Sequence, residues 1–491
     1  MALRLERRAL PGSRRGRGVR AIAESAGTGG AAEVRAPIDI PALIDSHPVS
    51  SFQRWILVLV GCAVVMDGFD VQAMGFVAPA IVHEWGIEKA ALGPVFGAGL
   101  LGMLVGSLVL SICADRFGRR PVLIAATVFF ALCMLATTGV HTLGQLLAMR
   151  FVTGIGLGGI MANASALASE YSPHRRRVTL MMWVSCGFTG GAVLGGAISA
   201  LLLPLGGWRA VFVFGGVVPL VIAALMLRYM PESMQFLVLR GRRLDRVQQW
   251  LRHIAPGVPV DAASRYVVHE AKQDGAPVAE LFRGGRARAT LLLWGINFLN
   301  LLNLFFLANW LPTLAVDAGY SANVAVAAGT LLQVGGVVGT VAMGPLIDRV
   351  GFYRVLVPVF ALAVLTIALI GQPALPLAAM LAAVVVSGFC IVGAQPALIA
   401  LASSVYPTTV RATGMGWSLG IGRAGSIAGP LVAGWLIGLH WSNGALFVAA
   451  ALPALLSCAM VFCMGRTGFG KGHKDGNNGN NGAATREGEK T

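Results

Sequence analysis

The amino-acid sequence predicts an all-α integral membrane protein with twelve transmembrane helices, arranged as two pseudo-symmetric halves of six helices each. The first observation behind this fold class is composition. Of the 491 residues, 56% are hydrophobic and 12% are charged, whereas about 25% of the residues in a soluble domain are charged. The second is the number of apolar stretches that are long enough to cross a ~30 Å hydrocarbon core. The third is an internal repeat that relates the two halves of the chain.

Apolar stretches of about 20 residues or more follow one another along the chain, each sufficient for one membrane crossing. They fall at roughly 55–81, 91–114, 121–140, 143–170, 178–204, 208–230, 289–316, 322–347, 353–372, 374–400, 410–437 and 441–464. The remaining sequence divides the chain into five parts. These are a disordered cytoplasmic leader (1–50), an N-terminal six-helix half (51–230), a cytoplasmic linker (231–288), a C-terminal six-helix half (289–464) and a disordered cytoplasmic tail (465–491).

Basic residues are concentrated in the loops on one side of the predicted membrane. If the N-terminus is cytoplasmic, the loops on the other side hold little charge beyond Lys89 and Arg209. The cytoplasmic loops hold Arg116, Arg119, Arg120, Arg175, Arg176, Arg177, Arg240, Arg242, Arg243, Arg349, Arg354 and Arg411. This positive-inside pattern predicts a multi-pass protein of the cell (inner) membrane with both termini in the cytoplasm. The net charge of +16 is therefore interpreted as an orientation signal, and nucleic acid is not expected as a partner.

Motifs of the first half recur in the second half at an offset of 233 or 234 residues. Asp115–Gly118 (DRFG) matches Asp348–Gly351 (DRVG), and the pattern from Pro173 to Trp183 matches the one from Pro407 to Trp417. Because each half has an even number of helices, the two repeats are parallel. This predicts a pseudo-twofold axis along the membrane normal and a binding cavity between the halves, near mid-depth.

The repeated loop motif resembles that of a known superfamily. Ser111–Arg120 and its second copy at 344–351 resemble the loop between the second and third helices of the major facilitator superfamily. One departure is Ser111, where the superfamily pattern usually has glycine. The resemblance implies the superfamily fold and transport by alternating access, in which a central cavity opens to one face of the membrane at a time.

Within that superfamily, the chain resembles the aromatic acid:proton symporter family, which includes transporters of 4-hydroxybenzoate, protocatechuate and benzoate. The motifs are Met66–Asp70 in the first helix, 309–314 in the seventh and 406–430 around the eleventh. The resemblance extends from about Ile38 to Met464. It implies a monomeric transporter, not an enzyme, that imports a small aromatic carboxylate with a proton as coupling ion and uses no metal or other cofactor.

Asp67 and Asp70 lie three residues apart on the first predicted helix, so their carboxylates share one face, about 5–6 Å apart at Cβ. Ionisable residues inside the membrane are rare and mark functional sites. Burial and a like-charged neighbour both favour the protonated acid. The repeat-related positions are Asn300 and Asn303, which keep the polarity and lack the charge. Asp67 and Asp70 are therefore predicted to be the proton-coupling pair, the alternative being a polar helix-packing pair.

Two arginines are also predicted to lie inside the membrane. Arg423 lies near mid-depth, and its repeat counterpart is Thr189. Its planar guanidinium matches a carboxylate, so Arg423 is predicted to bind the substrate anion; the alternative is a fixed ion pair with one of the aspartates. Arg150 reaches a similar depth and has Val384 as its counterpart. It is predicted to neutralise the acid pair and is counted among the substrate-binding residues.

Uncharged residues complete the predicted site. Asn297, Asn300 and Asn303 form a stripe that faces a wet cavity or a partner helix, and Asn300 and Asn303 are predicted to bind substrate. Trp310 is predicted to stack on the substrate ring, although aromatic side chains are also common packing residues in membranes. Further aromatic candidates are Phe305, Phe306, Trp183 and Trp417.

A cytoplasmic gate is predicted from the charged residues at the inner ends of the helices, by resemblance to the family. Salt bridges among them would close the inside and break on opening. A topology signal explains the arginines in this set about as well. The residues are Asp115, Arg116, Arg119, Glu170, Asp348, Arg349 and Arg411.

Two other functions remain open from the sequence. The first is a proton-linked efflux antiporter for drugs or organic acids, although Gly195–Gly196 lacks the proline of the glycine–proline motif usual in such exporters. The second is a transporter-like sensor that binds aromatic acids without moving them. Absence of accumulation in vesicles despite binding would identify the sensor.

Overall fold

The computed structural model describes residues 38–241, 243–256, 266–267, 278–283, 285–372, 375–407 and 410–466. Ten described helices are long and apolar enough to cross a membrane. One of them, His174–Tyr229, contains two crossing segments, because the backbone leaves helical geometry at Gly206 and Gly207. A further helix, Arg411–Gly438, is about 42 Å long at 1.5 Å per residue, although its composition is less apolar. The described chain therefore forms twelve membrane spans, as predicted.

The spans are numbered here in chain order. They are span 1 (Ser51–Trp85), span 2 (Leu92–Phe117), span 3 (Arg119–Thr137), span 4 (Leu143–Glu170), span 5 (174–205), span 6 (208–229), span 7 (Ala287–Asp317), span 8 (Ala322–Val350), span 9 (Phe352–Ile370), span 10 (Leu377–Ile391 continued by Ala394–Val405), span 11 (Arg411–Gly438) and span 12 (Asn443–Arg466). Shorter elements are the 3-10 helices Lys89–Ala91 and Val278–Phe282 and the linker helices Met234–Leu239 and Leu244–Ile254. Because the number of spans is even, both ends of the described chain lie on one face, called here the terminal face; the other is the opposite face.

The repeated loop motif has a local structural reason. Gly118 and Gly351 end spans 2 and 8 with φ angles of 105° and 90°. Glycine adopts positive φ without the steric cost that a Cβ would impose. The glycine of each DRxG motif therefore lets the chain turn sharply into the next span.

The same close helix contact occurs in both halves. A Cβ at Gly191 in span 5 would overlap the carbonyl oxygen of Val65 in span 1. A Cβ at Gly425 in span 11 would overlap the carbonyl oxygen of Phe298 in span 7. These two pairs are related by the repeat offset at both positions, so the predicted internal repeat is confirmed as a repeat of helix packing. Small residues allow this approach of two backbones.

The prediction of a disordered leader over residues 1–50 is wrong for residues 38–50. Ile38–Asp39 forms a short parallel strand pair with Tyr266–Val267 in the linker, and Ile40–Ser46 is helical. Ile40 and Ile44, one helical turn apart, are both buried, which gives this segment an apolar face to pack. Residues 1–37 and 467–491, which hold the rest of the predicted leader and nearly all of the predicted tail, lie outside the described residues.

Candidate functional site

A cavity of about 290 Å³ lies between the two halves, at the small end of the ~300–1,000 Å³ range of small-molecule sites. Spans 1, 2, 4 and 5 form one wall and spans 7, 8, 10 and 11 form the other. Among the described residues, spans 3, 6, 9 and 12 contribute nothing to its lining. This is the central cavity that the parallel repeat predicted.

Asp67 lies in the wall that belongs to the N-terminal half. The residue is 0% exposed, and neither carboxylate oxygen has a hydrogen-bond partner among the described residues. Its position is fixed by Gly68, where a Cβ would overlap the carbonyl oxygen of Phe188 in span 5. An ionised carboxylate here lacks the hydrogen bonds that would offset its burial.

Arg423 lies in the facing wall, which belongs to the C-terminal half. Its side chain takes part in none of the ion pairs found in the described part of the chain. It is close enough to Asp67 for the two charges to interact electrostatically. The fixed ion pair considered as an alternative is therefore not formed in this structure. Thr189, the repeat counterpart of Arg423, lines the same cavity from the other half.

Asp70 and Arg150 form a buried ion pair on the side of the N-terminal half. Arg150 Nη1 donates to Asp70 Oδ1 at 3.1 Å and to Oδ2 at 3.3 Å, and both side chains are 4% exposed. The guanidinium also lies 5.0 Å from the centre of the Phe212 ring. The pair borders a separate chamber of about 30 Å³, large enough for a water molecule.

This geometry corrects two expectations about the charged residues. Arg150 does not neutralise both acids, because it holds Asp70 and leaves Asp67 to the cavity. Nor does Arg150 line the central cavity, where it was expected to help bind substrate. The two aspartates share one helix, but only Asp67 is in the cavity wall.

The predicted asparagines lie behind the cavity wall. Asn300 donates through Nδ2 to Gln395 Oε1 at 2.7 Å, and Gln395 lines the cavity. Asn303 is fully buried, and neither atom of its amide group has a partner among the described residues. Neither asparagine belongs to the cavity lining, so their contact with substrate stays a prediction; Asn300 contacts a residue that does line the cavity.

Trp310 is a contact between the halves and not a wall of the cavity. Its indole is 0% exposed, Nε1 donates to the Pro430 carbonyl at 3.1 Å, and the ring packs edge-on against Phe96 with centroids 5.2 Å apart. In this arrangement Trp310 does not reach the cavity, and its stacking on substrate stays a prediction. Phe305 does line the cavity, together with Phe188, whereas Phe306, Trp183 and Trp417 are not part of the lining.

The cavity wall also contains three glutamines and Phe188, which were not among the residues predicted from the sequence. Gln72, Gln333 and Gln395 are polar side chains inside apolar spans, and that was the signal that could have identified them, since buried polar groups in a membrane require partners. Gln333 Nε2 donates to Gln72 Oε1 at 2.7 Å, and Gln72 Nε2 donates to the Ala308 carbonyl at 2.7 Å. These bonds connect the two halves.

Contacts between the halves lie toward the opposite face. Gly434 in span 11 meets Gly93 in span 2 so closely that a Cβ on Gly434 would lie 2.9 Å from the Gly93 Cα. Lys89 and Asp317 form an ion pair between the halves at the same face. Together with the glutamine pair and Trp310, these contacts close the cavity toward the opposite face.

The predicted gate residues lie at the terminal face, and the contacts described for them do not cross between the halves. Arg119 pairs with Glu170, and Arg411 Nε donates to the Tyr406 carbonyl at 3.2 Å. Arg240 Nη2 donates to the Asp115 carbonyl at 3.3 Å. Arg116, Asp348 and Arg349 are exposed. In the described part of the chain, the ion pair between the halves lies at the opposite face, and none is found at the terminal face.

Substitution of Gly434 by alanine is expected to weaken closure of the opposite face. The added Cβ meets backbone atoms of Gly93, and such overpacking costs about 1–3 kcal/mol. The measurement is the distance between spin labels at exposed Glu88 and Ala318, one from each half. Pulsed electron paramagnetic resonance should show a longer and broader distance distribution in Gly434→Ala than in the unchanged protein. The matched control is Gly438→Ala one turn later, whose Cβ makes an ordinary 3.5 Å contact with Ala90. Identical distance distributions for the two variants would contradict this role of Gly434.

Two six-helix repeats around a central cavity that is closed on one face define a multi-pass membrane transporter. The chain belongs to the Major Facilitator Superfamily, whose sequence profile matches residues 60–257 and 293–485. Among solved structures, it is similar to a D-xylose–proton symporter at a TM-score of 0.62 and 16% identity, over 82% of this chain and 97% of that one. At that identity the likeness concerns the fold.

Closer relatives share most of the sequence length. The chain is 42% identical to the 4-hydroxybenzoate transporter PcaK of Pseudomonas aeruginosa, over 87% of this chain and 96% of that protein. It is 39% identical to a gallate transporter of Pseudomonas putida, over 88% and 96%. It is 29% identical to a benzoate transport protein of Acinetobacter baylyi, over 87% and 92%.

Proposed function

We propose that this protein imports a small aromatic carboxylate together with one proton. The observation that carries the proposal is the pair of charges in the cavity, Asp67 on one wall and Arg423 on the other, neither held by an ion pair in the described part of the chain. Among the described residues, no other charged side chain lines the cavity. The names of the three relatives, which describe carriers of benzoate-like acids, support the substrate class.

The cavity matches the two parts of such a substrate. Arg423 offers a planar pair of N–H donors to the carboxylate. Phe188 and Phe305, one from each half, offer aromatic faces or edges to the ring, and aromatic pairs contribute about 0.5–1.5 kcal/mol beyond area burial. Gln72, Gln333 and Gln395 supply amide groups for ring hydroxyls. A hydrogen bond to such a hydroxyl discriminates strongly against analogues that lack it.

Electrostatics explains why the anion and the proton would load together. In the empty cavity, the positive charge of Arg423 favours the ionised form of Asp67. A bound carboxylate neutralises Arg423 and removes that support, so Asp67 then takes up a proton more readily. Each ligand therefore promotes binding of the other, and this reciprocity is required by linkage.

The proposed transport cycle follows from the different contacts that the two halves make at the two faces of the membrane. The concentration of arginine in the loops of the terminal face supports its assignment to the cytoplasm, and the contacts that close the opposite face support release of the ligands to that side. The ligands leave to the cytoplasm, the contacts at the opposite face separate, and the cavity reloads from outside. The protein acts as a monomer in the inner membrane and needs no cofactor other than the coupling proton.

The direct test is uptake into proteoliposomes of labelled 4-hydroxybenzoate, protocatechuate, benzoate and muconate at two proton gradients. Import with a proton predicts that accumulation inside the vesicles rises as the outer medium is made more acidic than the interior. An exporter would accumulate the acid only in the reverse gradient. A sensor would bind the acid and accumulate none. Either of the last two results would overturn the proposal.

Replacement of Arg423 by lysine is expected to raise the KM for the aromatic acid about 10- to 100-fold. Lysine keeps the charge but lacks the planar fork, and the loss of one hydrogen bond to a charged group costs about 1.5–3 kcal/mol. The measurement is initial uptake against substrate concentration, with Arg54→Lys as a control at an exposed arginine. An unchanged KM in Arg423→Lys would show that two-point carboxylate binding is wrong.

A further inference from the structure

A second large cavity, of about 660 Å³, lies at the terminal face of the N-terminal half. Its wall is made by the loop between spans 2 and 3, the end of span 6 and the linker helices Met234–Leu239 and Leu244–Ile254. It shares no lining residue with the central cavity. The transport cycle leaves this cavity without a function.

The wall of this cavity is strongly basic. Arg120, Arg228, Arg243 and Arg246 line it, and Glu232 is the one acidic residue in the lining. Glu232 Oε1 accepts hydrogen bonds from two backbone amides, those of Arg120 at 3.0 Å and Ser233 at 2.9 Å. The carboxylate is therefore held by main-chain donors, and no described ion pair joins it to an arginine.

Arg120 and Arg243 each have an unusual feature, although Arg120 Nη2 donates to the Leu227 carbonyl at 2.6 Å. Arg120 Nε is buried with no hydrogen-bond partner among the described residues, and a buried donor without an acceptor is costly. Arg243 has a φ angle of 50°, which is uncommon for a residue with a side chain. Backbone strain of this kind concentrates at ligand-binding sites.

The same wall is apolar where it meets the membrane. Phe117, Leu227 and Tyr229 line the cavity and are 62%, 58% and 61% exposed. They lie at the terminal-face ends of spans 2 and 6, where span surfaces face acyl chains. Cationic groups directly above apolar, membrane-facing side chains form the arrangement that suits a phospholipid, with its phosphate next to arginine and its chains next to hydrocarbon.

The C-terminal half provides an internal comparison. A cavity of about 750 Å³ occupies the repeat-related place beside Gly351. Tyr353 stands there at the repeat position of Arg120, and the arginines in its lining are Arg354 and Arg466. Among the described residues, nothing in that wall corresponds to the linker helix Leu244–Ile254 and its N-cap Arg243. In the described part of the chain, arginine is therefore more concentrated in the N-terminal cavity than in the repeat-related one.

We propose that the N-terminal cavity binds the phosphodiester headgroup of an anionic phospholipid from the cytoplasmic leaflet. Arg243 and Arg246 contact the phosphate from the linker side, and Arg120 and Arg228 contact it from the spans. The acyl chains lie along Phe117 and its neighbours. A bound lipid ties the linker helix Leu244–Ile254 to the ends of spans 3 and 6, and so fastens the linker to the N-terminal half.

The test uses the full-length protein in detergent with added dioleoyl-phosphatidylglycerol, dioleoyl-phosphatidylcholine or inorganic phosphate. Phosphatidylglycerol is expected to raise the thermal unfolding midpoint and to remain bound in native mass spectra. Phosphatidylcholine and phosphate are expected to do neither. The double variant Arg243→Ala/Arg246→Ala is expected to lose at least half of the rise and to retain phosphatidylglycerol at least tenfold more weakly. Both residues are exposed, so folding should persist.

The matched control is the double variant Arg354→Ala/Arg466→Ala in the C-terminal cavity, which should keep the full response. An equal loss in both double variants would mean general attraction between lipid and basic protein, and the proposed site would be wrong. An equal rise with inorganic phosphate that depends on Arg243 and Arg246 would assign the site to free phosphate. Absence of any phosphatidylglycerol effect on the unchanged protein would also overturn the proposal.

Discussion

Replacement of Asp67 by asparagine is expected to abolish accumulation of the aromatic acid against its gradient and to leave downhill exchange intact. Asparagine resembles the protonated acid in shape and polarity but releases no proton, so the carrier can load and reorient without coupling. In proteoliposomes, uptake driven by a pH gradient should fall about 100-fold or more. Exchange of labelled for unlabelled substrate at equal pH should remain within a few-fold of the unchanged protein.

The control for loss of a carboxylate is Glu88→Gln, at an exposed residue of the opposite face. It should leave both activities unchanged. Gradient-driven uptake by Asp67→Asn at the normal level would rule out Asp67 as the proton carrier. Loss of exchange together with accumulation would assign Asp67 to substrate binding and not to coupling.

Replacement of Asp70 by asparagine is expected to destabilise the protein by about 3–5 kcal/mol, the usual result when one member of a buried ion pair is removed. Arg150 would keep its charge in a place where its side chain is 4% exposed, with its main acceptor gone. The measurement is the thermal unfolding midpoint in detergent, with substrate absent. An unchanged midpoint would contradict a structural ion pair.

A second variant separates structure from coupling. Asp70→Leu/Arg150→Met replaces the pair by apolar side chains of similar volume, which is often neutral or stabilising for a buried pair. Its midpoint should return to near that of the unchanged protein. Gradient-driven uptake by this stable variant would show that Asp70 has a structural role. Loss of accumulation with exchange intact would restore Asp70 to the coupling pair predicted from the sequence.

The helical architecture could be predicted because its causes are patterns in the sequence itself. Apolar runs of membrane length, arginine-rich loops and a repeat offset determine the number of spans, the parallel halves and the cavity between them. The structure repeats helix contacts at the same offset, since the contact of Gly191 with Val65 and that of Gly425 with Phe298 are the same contact in the two halves. The charged residues of the membrane interior were also identifiable, because such residues are rare there.

Which aspartate lines the cavity and which pairs with Arg150 could not be predicted, because the sequence does not give the rotation of a helix about its axis. Residues three apart on an α-helix point about 60° away from each other. That angle is enough to place Asp67 in the cavity wall and Asp70 against Arg150. The same uncertainty affected Trp310, which lies outside the cavity lining and packs on Phe96.

Asp67, the one carboxylate that the described residues place in the cavity wall, determines how the transporter would respond to membrane voltage. Movement of one elementary charge through 100 mV changes the free energy by about 2.3 kcal/mol. One carboxylate substrate and one proton together carry no net charge inward, and in the proposed cycle the cavity that has released both returns with Asp67 deprotonated opposite Arg423, which is again neutral. Accumulation would then follow the pH difference alone, up to about tenfold per pH unit. A cell using this carrier would take up aromatic acids best in mildly acidic surroundings, whatever its electrical potential.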